Sequence, residues 1–318
     1  MQKKNKTQNE RIRQASVQGY HQGGHGSEAY AMMGFDGVNK YFTSDRFIKL
    51  DSNYQREDGK PCKGYGIEFE LESWGFTTQT AFATVLREMV FKLFPNGLFK
   101  MQNDCTLSGS NIDGIEAITQ IMTKEFIRNH YKDFKTMFND YFPIFDISAV
   151  RSNNCGMHVN ISNACFANDE AIRKFYYLIN HHYGFMCALV NRDSNRTHWC
   201  GQMRSEMSYC KNLDLHTMSG SHSNCFNGSH YDFGRIELRL VGGQKDFGCF
   251  RNTMESIFFL VDRVKKLSWN DCDDIVKVFS GCNQYVFDRI KSKCYQAGTI
   301  TSAQVSAIEA KVVREDLI

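Results

Sequence analysis

Four short segments of this 318-residue chain alternate charged or polar side chains with apolar ones. In GYGIEFELES, Ile67, Phe69 and Leu71 alternate with Glu68, Glu70 and Glu72. A period of two is that of a strand with two unlike faces. Three carboxylates on one strand face repel one another unless water or a cation intervenes. Two readings follow: an exposed acidic face, or a site for Mg2+ or Mn2+, hard cations that prefer carboxylate oxygens. CGMHVNIS sets His158 and Asn160 against Met157, Val159 and Ile161, and RIELRLVGG sets Arg235, Glu237 and Arg239 against Ile236, Leu238 and Leu240. Asp104 and Glu116 flank a short hairpin-like element. Each segment alone has an ordinary explanation, such as a structural histidine or a surface Glu-x-Arg pair. Taken together, carboxylates and arginines suit a metal–phosphate substrate. The carboxylates hold ions, the ions bridge phosphate oxygens, and the planar arginine forks neutralise the remaining charge.

Other chemistries lack their motifs. The chain has no GxxxxGK[ST] and no GxGxxG after a strand, so a bound nucleotide must be held by metals and arginines on a sheet. The twelve cysteines form no CxxC pair and read as reduced, mostly buried thiols, none in a nucleophile motif. His198, Cys200, Cys210 and His216 form a conceivable zinc set, but at spacings unlike the common patterns.

These strands need helices over their apolar faces. Phe82, Val85, Leu86, Met89, Val90 and Leu93 recur at helical spacing, with Thr77 or Thr78 to cap the start and Pro95-Asn96-Gly97 to stop it. Short strands are expected at Leu98–Gln102 and Gly114–Ile118, and a peripheral one within Asp45–Tyr54. Further helices are expected from Lys124 to Tyr141, ending at Pro143, and from an Asn168-Asp169 cap to about Val190. Another carries Met254, Ile257, Phe258, Val261 and Val264. Residues 191–233 are polar and irregular, a candidate substrate loop carrying Arg192, Arg196 and Arg204. The fold class is α+β, with the charged sheet face lining a cavity. The expected organisation is an irregular N-terminal arm over 1–60, a catalytic domain over 61–270 and a helical C-terminal cap over 271–318.

With 42% hydrophobic and 23% charged residues, the chain has an ordinary globular composition, and a net charge of +3 does not point to nucleic acid. Its basic cluster, Lys3, Lys4, Lys6, Arg11 and Arg13, reads as a solvated arm. No apolar run approaches the roughly 20 residues of a membrane span. The polar N-terminus lacks the apolar stretch of a signal peptide, so the expected location is the cytoplasm.

The order GIEFELE, NDCTLSG with GIEAIT, CGMHVNIS and RIELRLVGG, over roughly residues 64–267, resembles the amidoligase family. These proteins are common in bacteriophages and bacteria and are related to glutamine synthetase and glutamate–cysteine ligase. The resemblance implies a curved antiparallel sheet of glutamine synthetase-like type, with an acidic metal-binding face and helices on the other. It implies ATP and Mg2+ (or Mn2+) as cofactors and small-molecule or peptide carboxylates and amines as partners. It places Glu68, Glu70, Glu116 and Glu237 at the metals, His158 at the nucleotide or a metal, Asn160 at the nucleotide, and Arg239 on the phosphoryl group. Arg235 and Asp104 complete the catalytic set. The chain departs from the family pattern at Asn160, which replaces a second histidine, at Thr106, which replaces a serine, and at Gly242-Gly243-Gln244, which replaces a G-T-L turn. Glu72 is an extra acid. The implied activity is ATP-dependent amide formation through an acyl phosphate. The alternatives are a metal-dependent hydrolase or nuclease, and a non-catalytic binding or structural protein on a decayed ligase fold.

Overall fold

A computed structural model describes residues 40–42, 47–49, 63–73, 79–95, 98–103, 107, 113–150, 155–193, 200–218 and 223–314. The chain divides into two units, Met1–Gly156 and Met157–Ile318.

The first unit begins with strands β1 (Lys40–Phe42) and β2 (Phe47–Lys49), the latter within the segment where a peripheral strand is expected. Strand β3 (Tyr65–Ser73) and helix α1 (Gln79–Leu93) follow the alternation and the helical spacing; Thr77 and Thr78 lie outside the described residues. Then come β4 (Phe99–Asn103), β5 (Asp113–Thr119) and β6 (Ile121–Met122). Strand β5 lies antiparallel between β3 and β4, with Phe69 and Met101 both opposite Ala117. The register slips between β5 and β6: Glu68 pairs with Ile118, but Tyr65 pairs with Met122. One extra residue therefore sits on the β5–β6 side, a β-bulge. There the Ile67 N–H donates to Thr119 Oγ1 at 2.8 Å. Strand β1 joins β6 in parallel, so the sheet is not wholly antiparallel. The two strands are far apart in sequence, and a long connection permits the parallel pairing that a hairpin cannot make.

The apolar face of β3 meets the helices. Phe69 lies 6.4 Å from Phe99 and 5.9 Å, edge-on, from Phe138. Phe82, Leu86, Met89 and Val90 line the buried stripe of α1, and Phe94 just beyond it packs 4.8 Å from Phe134. The single helix expected from Lys124 is instead α2 (Lys124–Asn129), α3 (Tyr131–Thr136), a π turn at Met137–Tyr141 and α4 (Phe142–Ile144). His130 makes the break; its Nδ1 bonds to the Phe126 carbonyl at 2.9 Å. Pro143 does not end the run but sits in the first turn of α4, where its missing N–H costs no helical bond. Strand β7 (Ile147–Ser148) then pairs with the end of β3.

The second unit opens with β8 (Met157–Ser162). Asn168 caps α5 (Asp169–His181) as expected, accepting from the Ala171 N–H at 3.0 Å. The helix expected to run to about Val190 breaks at His182, and α6 (Tyr183–Leu189) follows. Short α7 (Met207–Lys211) and β9 (Phe226–Asn227) lie within the polar segment. Strand β10 (Arg235–Leu238) is shorter than its alternation. Beyond Leu238 the Arg239 N–H donates to the Cys225 carbonyl, and Arg192 donates to the Leu240 and Val241 carbonyls at 3.3 and 2.9 Å. At Gly242, whose N–H donates to Val190 O, an added Cβ would lie 2.0 Å from Asn191 O, so only glycine fits this approach. Helix α8 (Phe247–Arg263) buries Met254, Ile257, Phe258 and Val261. The C-terminal stretch is helical: α9 (Ile275–Phe279), α10 (Gln284–Arg289), a π turn and α11 (Ser302–Glu309). Among the described residues, no helix is long and apolar enough to cross a membrane.

The ten described cysteines are buried thiols with no disulfide among them. Burial pushes the Cys187, Cys272, Cys282 and Cys294 thiols up to about 12, as suits packing groups rather than nucleophiles.

His182 gives this fold a pH dependence. Its Nε2 bonds to the Cys272 carbonyl at 2.8 Å, and burial lowers its pKa below the ordinary 6.5. The unfolded chain therefore takes up this proton first. Stability from neutral His182 is complete above about pH 6.5 and falls as pH drops toward the lower folded value. Replacement His182→Gln keeps a neutral donor and should flatten the acid limb of melting temperature against pH. An unchanged limb would assign the loss to other groups.

Candidate functional site

In the first unit the strand register sets four carboxylates on one face. Glu68, Glu70 and Glu72 alternate along β3, and Glu116 of β5 lies directly opposite Glu70. The Glu70 N–H donates to Gly156 O at 3.2 Å, on the side away from β5. Glu70 and Glu116 are therefore a non-hydrogen-bonded pair, the kind whose Cα atoms lie only about 4.5 Å apart and whose side chains come closest. Glu68 and Glu116 each offer a carboxylate oxygen within 4.8 Å of the other. None of the four is solvated: Glu68 and Glu72 are 1% exposed, Glu116 4% and Glu70 7%. The exposed-face explanation of GIEFELES is thus overturned, because this strand is covered on both faces.

Carboxylates clustered on one covered face offer oxygen ligands to a cation. The donor set suits a hard divalent ion. Two oxygens on opposite sides of Mg2+, each about 2.1 Å away, stand about 4.2 Å apart, within the spacing of the Glu68 and Glu116 oxygens. Leu107 packs beside this set. A Cβ on Gly114, which lies opposite Glu72, would come 2.1 Å from Leu107 Cβ, so glycine at 114 is what lets the leucine in.

In the second unit β10 lies between β8 and β9, and Glu237 pairs with Asn160 on one side and Asn227 on the other. The three form a row across the strands on one face. His158, Arg235 and Arg239 share it, and all six are buried. The bonds are specific. Asn227 Nδ2 donates to Glu237 Oε2 at 2.8 Å, and Arg239 Nη1 donates to Glu237 Oε1 at 2.7 Å. His158 Nδ1 lies 3.5 Å from that Oε1 and 3.5 Å from Arg239 Nη1. Arg235 Nη1 donates to Asn160 Oδ1. A glutamate locks an arginine and a histidine in place, and an asparagine locks the glutamate.

The structure thus brings together Glu68, Glu70, Glu72 and Glu116 within one unit, and His158, Asn160, Arg235, Glu237 and Arg239 within the other. Asp104, Thr106, Arg196 and His198 lie outside the described residues. Two arginines of the expected substrate loop are engaged elsewhere. Arg192 holds backbone carbonyls, and Arg204 pairs with Glu206 at 2.8 Å and covers the Tyr209 ring. Two described members of the conceivable zinc set are engaged elsewhere: exposed His216 pairs with Asp232, which raises its pKa, while the buried Cys210 thiol donates to the Arg204 carbonyl. Gln244 of the altered turn bonds to Gly242 O and to Thr253, so this turn is part of the scaffold. A cavity of about 460 Å³ in the second unit is lined by Gly184, Asn191, Arg192, Asp193 and Lys293 among others, and by none of the charged strand residues. Asn227 escaped the sequence reading. The N-G-S at 227–229 signals a turn but not the carboxylate that Asn227 holds.

No family model matches the chain, and no curated protein does. A solved structure described as a GmaS/ADP complex is similar to it with a TM-score of 0.43 and 12% identity, over 78% of this chain and 68% of that one. A likeness at that level says nothing about what this chain binds or does.

The acidic face has a direct test. Glu70→Gln removes one of two directly opposed charges while keeping size and hydrogen-bonding capacity. It should weaken the rise in melting temperature produced by Mn2+. An undiminished Mn2+ effect in the folded variant would remove Glu70 from the metal set.

Proposed function

We propose that this chain is an ATP-dependent carboxylate–amine ligase that forms an amide through an acyl phosphate. The observation that best supports this is the buried acidic face, with carboxylate oxygens of Glu68 and Glu116 within 4.8 Å. Carboxylates buried in such numbers suit divalent cations, and the resemblance of the four motifs supplies the reaction. In this reading Glu68, Glu70 and Glu116 hold Mg2+ or Mn2+, which supply charge neutralisation at phosphate oxygens. Glu237, the remaining carboxylate of the implied metal set, also orients Arg239. His158 and Asn160 meet the nucleotide.

The chemistry balances as follows. A substrate carboxylate oxygen attacks the γ-phosphorus and ADP leaves. The amine then attacks the acyl carbon, phosphate leaves, and the amine nitrogen gives up its proton to a base. Arg239 stabilises the charge on the phosphoryl group in transit, and Arg235 supports it. A metal-dependent hydrolase would use similar carboxylates but would join nothing.

Two outcomes are expected. Mg-ATP or Mn-ATP at millimolar levels should raise the melting temperature, since a ligand bound by the native state alone stabilises it. Cell extract incubated with enzyme and Mg-ATP should yield a new carboxylate–amine condensation product by mass spectrometry. Indifference to metal-nucleotide, with no such product, would rule the ligase out.

Arg239→Lys isolates the phosphoryl contact. Lysine keeps the charge but loses the planar fork. The variant should fold and bind Mg-ATP normally, yet turn over about 10² to 10³ more slowly, the scale of one lost transition-state donor. Full turnover would make Arg239 only a partner of Glu237.

A further inference from the structure

Glu237 has a partner that the motifs do not name. Asn227 Nδ2 donates to Glu237 Oε2 at 2.8 Å, leaving Oε1 to Arg239 and His158. An asparagine amide can turn over, but this one is fixed. Its Oδ1 accepts from both the backbone N–H and the hydroxyl of Ser229, at 3.0 and 2.8 Å. With the oxygen so engaged, the nitrogen must face Glu237. The chain of bonds runs Ser229, Asn227, Glu237, Arg239, and Asn227, Glu237 and Arg239 are buried.

We infer that Asn227, locked by Ser229, is a positioning residue that holds the Glu237 carboxylate so that Arg239 is aimed at the phosphoryl group in transit. The inference rests on the ligase reading above and adds residues to it. Burial makes the role consequential. A carboxylate that loses one of its bonds is freer to rotate, and the guanidinium bonded to its other oxygen would move with it. A shift of about 1 Å in such a group is enough to cost much of its transition-state contact.

The test uses the full chain and needs no knowledge of the substrate. Mg-ADP with aluminium fluoride imitates the transferring phosphoryl group, and calorimetry compares its affinity with that of Mg-ADP alone. Wild type should gain affinity from the fluoride complex. Asn227→Asp keeps the shape but turns the donor into an acceptor. It should bind Mg-ADP as wild type does and lose at least about tenfold of the fluoride-dependent gain, a fraction of what a direct donor contributes. Ser229→Ala, which keeps the backbone N–H, should show a smaller loss in the same direction and guards against a folding defect in Asn227→Asp. The decisive readout is the double variant Asn227→Asp/Arg239→Lys. Positioning through Arg239 predicts a gain no smaller than that of Arg239→Lys alone, whereas a merely structural role predicts additive losses. Additive losses, or a full gain in folded Asn227→Asp, overturn the inference while the ligase reading stands. No gain in wild type brings down the ligase reading, and the inference with it.

Discussion

Burying carboxylates opposite one another is the constraint around which the first unit is arranged. Glu70 and Glu116 meet across β3 and β5, with Glu68 and Glu72 on the same covered face. Nothing in their own chemistry favours this placement. It is imposed from the other side of the strand. Ile67, Phe69 and Leu71 are buried, and burying such side chains contributes about 1.5–3 kcal/mol each. A slip of one residue would exchange the two faces and set carboxylates, in place of Phe69, against Phe99 and Phe138. The apolar face therefore sets the register, and the register forces the acids together. The cation site proposed above rests on that register.

The second unit also buries charge. Asn227 and Arg239 bond the two oxygens of Glu237, and Arg235 bonds Asn160. Breaking a buried pair of this kind leaves an uncompensated charge, so each member constrains its neighbours. Asn160, which departs from the pattern of the resembled family, accepts from Arg235, as a neutral amide oxygen can at any pH. The altered turn is likewise built in. Gly242 passes against the Asn191 carbonyl where a Cβ has no room, and Gln244 bonds within the turn and to α8. These departures have structural partners.

Residues outside the charged strand positions hold those strands still. Arg192 looked like a substrate contact because it lies in a polar loop, yet it ties down the carbonyls beyond β10. Leu107, next to the threonine that replaces a motif serine, packs into the space left by Gly114 beside the acids. Asn227 and Ser229 orient Glu237.

Much was legible in the sequence because alternation and helical spacing are properties of neighbouring residues. They determined that β3, β8 and β10 are strands, which residues share each face, where α1 lies and that Asn168 caps α5. They did not determine the helix breaks at His130 and His182. Those follow from ring nitrogens finding backbone carbonyls, in one case across to Cys272. Nor did they determine that Glu116 stands opposite Glu70, that the acidic face is covered, or that Asn227 meets Glu237. Strand pairing joins residues distant in the chain, and their choice of partner depends on the burial of every face at once. The sequence by itself settled which side chains travel together along each strand; only the tertiary structure decided what each strand meets.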